Sequence, residues 1–550
     1  TLAAFLVAVD RCLRPLPACE PTTDDLEKPG TSVVYVSPLR ALTVDIRENL
    51  ERPLAEITEI ARELGEPVRE VTVAVRNGDT PASARAAMLR DRPDIVVTTP
   101  ESLYLLLTAR RGRELLAGVD TVIVDEIHAL ARDKRGAHLA LSLERLDRCT
   151  SGHGADDHTR AGPDGKSDRE APWPARRRPT RIGLSATQRP IQTIARLLVG
   201  AAPGRTAEDG SPRCSVVDVG HRRPLDVAIS RTGDELGAVT STAQLDAVVE
   251  HVADVVGAHT TTLVFVNTRR MAERIAHLLA AHLGEDAVCA HHGSLSTARR
   301  LDVEARLRAG ELRCVVATAS LELGIDVGPI DLVCQLGSPR SIATFLQRVG
   351  RADHTVRGLP TGRIYPLTRD ELVECVALLA AVREGSLDRV VPPVAPLDIL
   401  AQQIVAECAA SGEDGIAERD LAVLVRSAAP YQDLTDADLD DVLALVSDGV
   451  TTGRGRRGAH LHRDTVNGIV RARRGARLTA STSGGAIPEL ADYRVVLEPE
   501  DVLVGTVNED WAVEAMVGDV FLLGSTAWRI RRVEQGTVRV VDAAGANPTL

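Results

Sequence analysis

The stretch "TVIVDEIHAL" at residues 121–130 decides the fold. Its first four residues are apolar or β-branched, the composition of a strand buried on both faces. The strand runs straight into Asp125 and Glu126. In parallel sheets, ligands bind beyond the carboxyl ends of the strands, so two carboxylates there are placed for chemistry. Asp125 can hold a Mg²⁺ ion on a nucleotide, and Glu126 can orient or deprotonate an attacking water. Taken alone, the stretch is equally a polar strand end that caps the next helix.

Similar short apolar runs lie on both sides. "SVVYVS", "VTVAV" and "DIVVTT" precede it and "RIGLSAT" follows, with helical stretches between them. That alternation predicts a parallel sheet with helices on both faces. The pattern restarts at "TTLVFVNT" (261–268) and continues through "AVCAHHG", "RCVVATAS", "DLVCQLG" and "GRIYPL". The chain thus reads as α/β with two sheet-bearing lobes, at 1–205 and 246–390, joined by a linker at 206–245. Residues 150–178 are polar, Gly/Pro-rich and without period, and read as a surface insertion. Helical periods fill much of 391–480, and strand patterns with Gly turns fill 481–550, suggesting a small antiparallel barrel or sandwich. Trp511 and Trp528 suit the core of that last domain better than a base-stacking role.

Composition bounds the function. The 550 residues suggest roughly three to five domains. Aromatics make up only 2%, so the cores must be built from Ala, Val, Leu and Ile. A net charge of -12 argues against indiscriminate nucleic-acid binding but leaves room for a local basic groove. One basic tract exists: residues 453–477 hold eight Arg and one acidic residue, Asp464. Within it Arg456, Arg457, Arg473 and Arg474 can hold phosphates, or the tract is a solvated face. Nine Cys form no C-x-x-C pair, which disfavours zinc ribbons and iron–sulfur clusters and fits thiols in a reducing cytoplasm. No apolar run reaches the ~18 residues of a membrane span, so no membrane partner is expected.

A second constellation is "QRVGRADH" (347–354), where Arg348 and Arg351 share one face of a helix or turn. Planar guanidinium groups suit the charge developing on a γ-phosphate, although an isolated R-x-x-R is commonly just surface. It gains force from "ATASLELGIDVG" (317–328) just before it.

Together, "SPLRAL", "TTPESL", "VDEIH", "LSAT", "FVNTRR", "HHGSLS", "ATASLELGIDVG" and "QRVGRADH" resemble the ordered motif set of superfamily 2 helicases. "SPLRAL", "DEIH", "LELGIDVG" and "GGAIPELADYRVVLEPE" resemble the Lhr (large helicase-related) family over nearly the whole chain. The resemblance implies two RecA-like parallel-sheet lobes, followed by a winged-helix-like segment and a small β-rich C-terminal domain. It implies an ATP- and Mg²⁺-dependent helicase moving 3′ to 5′ on single-stranded DNA and unwinding duplex DNA or RNA:DNA hybrid.

By position, the resemblance gives Asp125 to Mg²⁺, makes Glu126 the catalytic carboxylate, and has His128 couple the nucleotide site to Ser185 and Thr187. Arg348 and Arg351 become arginine fingers, with Gln347 beside them. Asp326, next to Gly324, meets the nucleotide. Ser37, Arg40, Thr99, Asn267, Thr268, Thr318 and Ser320 track the strand, since hydroxyls and amides hold phosphate without reading sequence. For "SPLRAL" and "TTPESL" a helix-capping role is compatible with this. For "HHGSLS" the plain reading is a His pair in a loop, with no ligand cluster nearby to make a metal site.

The phosphate-cradling G-x-x-x-x-G-K-[ST] loop does not occur in these residues; the G-K-S of "DGKSD" (164–168) lacks its upstream Gly and follows no strand. "TLAAFLVAVD" at the start resembles the helix that follows such a loop in Lhr-like chains. Thr1 is then expected to be its Mg²⁺-ligating hydroxyl residue, in a piece of a longer protein, with little or no ATP turnover by the 550 residues themselves. Two other readings stay open: an ATPase-deficient nucleic-acid-binding scaffold, and a DEAD-box-like RNA helicase.

Overall fold

The computed structural model describes residues 2–14, 30–151, 178–186, 188–218, 224–232, 235–238, 240–322, 328–353, 358–452, 455–485, 492–508, 511–512, 515, 517–534 and 536–546. The chain divides into two compact units, each made of two separated segments: Thr1–Val217 with Arg389–Ile487, and Asp218–Asp388 with Pro488–Leu550.

In the first unit, β1 (Val33–Val36), β2 (Val73–Arg76), β3 (Ile95–Thr98), β4 (Thr121–Val124) and β5 (Thr180–Gly183) form a parallel sheet ordered β2-β3-β1-β4-β5. The three central strands are buried at every residue, the setting that Val/Ile runs require. Val36 of β1 stands opposite Thr98 and Val124, so Ser37, Thr99 and Asp125 emerge side by side at the carboxyl edge. The helix Leu2–Leu13 packs Phe5 flat on Tyr35, ring centroids 4.8 Å apart.

The helix Lys134–Thr150 is buried on nearly all sides, because residues 389–487 cover the face that a lone lobe would leave wet. Those residues form a winged helix: helices Leu397–Ala410, Glu418–Ser427 and Asp436–Asp448, with antiparallel strands at Ile416–Ala417, Leu461–Asp464 and Ile469–Ala472. Their Ile399, Leu400, Ile404 and Tyr431 join Leu103, Leu107, Leu139 and Leu143 in one continuous core. A polar seam runs through it. Glu407 is wholly buried and accepts from Arg145 Nε at 2.8 Å and Arg113 Nη1 at 3.0 Å, while Arg145 Nη1 donates to Gln403 at 2.8 Å. Burial alone would raise the pKa of Glu407, yet the two guanidinium groups hold it down at about 2.

In the second unit, β6 (Asp226–Ile229), β7 (Thr262–Phe265), β8 (Val288–His291), β9 (Cys314–Ala317), β10 (Leu332–Leu336) and β11 (Thr361–Tyr365) form a parallel sheet ordered β6-β11-β10-β7-β9-β8. β6 corrects the linker expected over 206–245. It is a half-buried edge strand, Asp-Val-Ala-Ile, without the unbroken Val/Ile run of a strand buried on both faces, and its pairing to β11 defines it.

The C-terminal strands are β12 (Asp492–Leu497), β13 (Val502–Asn508), β14 (Val520–Leu523), β15 (Thr526–Glu534) and β16 (Thr537–Asp542), ordered β13-β12-β16-β15-β14. This curved, half-barrel sheet is not wholly antiparallel: β12 and β16 pair in parallel, because β12 is joined by β13 on one edge and leaves its other edge for the last strand. Trp511 packs on Phe521 at 4.6 Å and Trp528 Nε1 donates to Leu523 O at 2.9 Å, so both are half-buried and pack against this domain's core rather than inside it. No described helix is long and apolar enough to cross a membrane.

Candidate functional site

The carboxyl edge of the first sheet gathers the predicted acidic pair. Asp125 is buried; its Oδ2 accepts from the Tyr35 hydroxyl and its Oδ1 from the Glu126 N–H at 3.0 Å. Burial raises its pKa, opposed by those two hydrogen bonds. Glu126 follows at φ 46 and ψ 40, a left-handed conformation rare for a residue with a Cβ, which turns the chain from β4 into the helix Ile127–Leu130. Its carboxylate is 24% exposed and can reach a ligand.

His128 sits behind this turn, 5% exposed. Burial, helped by the charge of Arg132, lowers its pKa to about 4, so the ring is neutral. Its Nδ1 accepts the Ala186 N–H at 3.2 Å and lies 3.3 Å from Ser185 Oγ, which places the ring proton on Nε2. Glu126 Oε2 lies 3.5 Å from the same Nδ1, a contact that a neutral ring makes no ion pair. The structure thus brings Asp125, Glu126, His128 and Ser185 together. Thr1 and Thr187 lie outside the described residues.

Ser37 is fully buried; its N–H donates to Thr98 O at 2.9 Å, and its hydroxyl has no hydrogen-bond partner among the described residues. Arg40 opens the helix Arg40–Glu63, with its side chain outside the described part. Thr99 caps the helix Pro100–Thr108 by accepting the Ser102 N–H at 3.4 Å. One residue that sequence reasoning passed over ties the two stretches: Arg135 donates to Glu101 Oε1 and to Pro38 O, both at 2.7 Å.

In the second unit, the carboxyl edge carries Asn267 and Thr268. Asn267 Nδ2 donates to Ser338 O at 2.8 Å, and Thr268 caps the helix Arg269–Leu283 through the Met271 N–H. Thr318 N donates to His291 O at 3.3 Å, and Ser320 Oγ lies 2.8 Å from His291 Nδ1. Gly324 and Asp326 lie outside the described residues. Arg348 departs from the picture of a free finger. It is 6% exposed, donates to Glu322 Oε2 at 3.1 and 3.2 Å and to Gln335 Oε1 at 2.7 Å, and stacks on Phe265. Gln347 and Arg351 are half-buried on either side of it.

The basic tract is partly consumed by its own fold. Arg463 pairs with Glu418 at 2.8 Å and Asp440 at 2.5 Å, and Arg473 donates to Leu461 O at 2.6 Å and Ser447 O at 3.2 Å. Arg474 is exposed. Arg456 and Arg457 lie on the strand Gly455–Arg457, with side chains outside the described part.

Residues 1–194 match the DEAD/DEAH box helicase family, 244–355 the helicase conserved C-terminal domain, and 380–550 the winged helix domain of the large helicase-related protein. The chain is 38% identical over 582 residues to the Lhr helicase/probable uracil glycosylase of Mycolicibacterium smegmatis, covering 99% of the chain. The chain belongs to the Lhr family. It spans 36% of that Lhr relative and 60% of the ATP-dependent helicase Lhr-Core protein 2 of Thermococcus barophilus, to which it is 37% identical over 557 residues and its whole length. The structure of Mycobacterium smegmatis helicase Lhr bound to ssDNA and AMP-PNP superposes with a TM-score of 0.73 at 39% identity, covering 89% of this chain and 57% of that one. The DUF1998 helicase MrfA shares the fold at 18% identity and a TM-score of 0.62, over 93% of this chain and 64% of that one.

Within this Lhr chain, the residues that the sequence pattern does not reveal are partners rather than motif members: Tyr35 on Asp125, Arg135 between two loops, and Glu322 and Gln335 around Arg348. Each lies far in sequence from the group it holds, so no local spacing announces it.

Proposed function

We propose that this chain carries the motor of an ATP-dependent helicase that tracks 3′ to 5′ along single-stranded DNA and opens duplex DNA or RNA:DNA hybrid. The observation that carries the proposal is the carboxyl-edge turn: a buried Asp125, then Glu126 turned out of the strand by a left-handed backbone, then a neutral His128 docked on Ser185 and Ala186. Asp125 fits a Mg²⁺ site: burial disfavours its charge, and each oxygen accepts one described hydrogen bond and keeps a further lone pair. Bound Mg²⁺ supplies charge neutralisation on the nucleotide phosphates.

In this reading Glu126 orients the attacking water and takes its proton. His128 carries the position of that turn to the Ser185–Ala186 segment. Arg351 faces the γ-phosphate, while Arg348 braces the loop through Glu322 and Gln335. Arg40, Asn267, Thr268, Thr318 and Ser320 hold strand phosphates, the buried Ser37 and Thr99 act only through the loops they anchor, and the exposed Arg474 adds a contact from the winged helix.

The test is ATP turnover by the full gene product, with single-stranded DNA or RNA as stimulant. Glu126→Gln is expected to lower stimulated turnover about 10²-fold or more while oligonucleotide binding persists. Unchanged turnover in that variant would sink the assignment, and stimulation by RNA alone would replace DNA as substrate.

A further inference from the structure

The stretch "HHGSLS" finds no task in the motor described above, yet it is where the C-terminal sheet grips the second lobe. Leu295 makes a β-bridge with Gly505 of β13, and Thr506 N donates to Ser294 O at 2.8 Å. The Leu295 side chain is 5% exposed and sits in the core of the C-terminal domain with Val495, Phe521 and Val540. The approach is close: a Cβ on Gly505 would stand 2.1 Å from Ser294 O, so only glycine fits.

One carboxylate organises the other side of this contact. Glu273, 3% exposed, lies on the helix that Thr268 caps. Its Oε1 accepts the Gly524 N–H at 2.6 Å and its Oε2 the Ser525 N–H at 2.7 Å, both from the β14–β15 turn. The same Oε1 lies 2.7 Å from His292 Nε2. Because His292 Nδ1 accepts the Ser294 N–H at 3.3 Å, the ring proton is on Nε2 and points at Glu273. The neighbouring His291 in turn meets Ser320 Oγ and Thr318 N. A buried carboxylate with three donors, two from one domain and one from another, fixes their relative position, because losing any one leaves a desolvated group unpaired.

We infer that Glu273 is a positioning residue: through His292 and the Gly524–Ser525 turn, it makes the C-terminal sheet set the register of the lobe's strand-contacting loops around Asn267–Thr268 and Thr318–Ser320. The inference rests on the motor reading, and its consequence is specific to strand affinity. With the loops displaced, the chemistry of the first sheet is untouched, but the phosphate contacts no longer meet the strand together.

The experiment measures ATP turnover of the full gene product against single-stranded oligonucleotide concentration. In Glu273→Gln, which keeps the side chain's size and loses one acceptor, the half-saturating concentration is expected to rise about tenfold, with the saturated rate within about twofold. Gly505→Ala, which presses on Ser294 from the opposite side, is expected to act in the same direction. Hydrogen exchange should quicken at Ser525 and Thr506 while β7 and β9 stay protected. If Glu273→Gln does not fold, His292→Gln, which breaks the imidazole's bonds to Glu273 and to the Ser294 N–H, is read in the same way. An unchanged half-saturating concentration in folded variants, or an equal loss of saturated rate without a change in affinity, overturns the inference. A wild-type protein that nucleic acid does not stimulate overturns the motor reading instead.

Discussion

Glu407→Gln tests the seam between the first lobe and the winged helix. The substitution preserves shape and removes the negative charge that Arg113 and Arg145 share, leaving side chains 12% and 1% exposed facing an amide. Breaking a buried pair by removing one partner costs about 3–5 kcal/mol. An independent route agrees: a carboxyl whose pKa falls from 4.5 to about 2 on folding contributes about 3 kcal/mol at neutral pH. The sign follows from proton binding. The folded carboxyl holds its charge where the unfolded one is protonated, so the contribution is complete above about pH 4.5 and is lost as pH falls toward about 2. Urea unfolding followed by far-ultraviolet circular dichroism should show the variant about 3 kcal/mol less stable at pH 7. The gap to wild type should narrow by about 2 kcal/mol at pH 3. Hydrogen exchange should locate the loss in the helices Lys134–Thr150 and Leu397–Ala410. A cost below about 1 kcal/mol, or a gap that does not narrow in acid, would refute the reasoning.

Three further outcomes are expected. Arg348→Gln should destabilise the second lobe by about 3 kcal/mol in the same urea assay, since Glu322 and Gln335 lose their shared donor; a cost confined to ATP turnover would return Arg348 to the role of a free finger. His128 and His138, both held at about 4 by burial, stay neutral where the unfolded chain takes up protons, so stability should drain as pH falls from 6.5 toward 4. A double replacement by Asn should flatten that slope, and an unaltered slope would show that other groups cause it. Arg474→Ala should reduce the slope of log affinity against log salt by about 1 for duplex DNA, and no change would remove Arg474 from the interface.

The central strands and the acidic pair were legible because both faces of β1, β3 and β4 are buried, which forces unbroken Val/Ile runs, and because ligand chemistry sits at the strand ends. Capping by Thr99 was equally local, a matter of one hydroxyl and an N–H three residues on. The four-residue β6 was not legible, since its identity comes from pairing with β11, more than a hundred residues later. The parallel pairing of β12 and β16 was hidden for the same reason.

Charged residues mark the limit most clearly. Nothing beside Arg145 in "ALSLERLDRCT" or Glu407 in "QQIVAECAA" marks either as buried, and only the packing of the winged helix onto the lobe turns them inward to meet. Arg348 reads as a ligand for phosphate, and the fold spends its guanidinium on Glu322 and Gln335. Periodicity, strand-end chemistry and motif order are properties of neighbouring residues, so the sequence by itself determined two parallel-sheet lobes, the acidic turn and the family. Which carboxylate faces which cation, and which domain grips "HHGSLS", depends on surfaces meeting across the chain. Only the tertiary structure decided those pairings, because a buried charge is stable solely where a partner arrives to meet it.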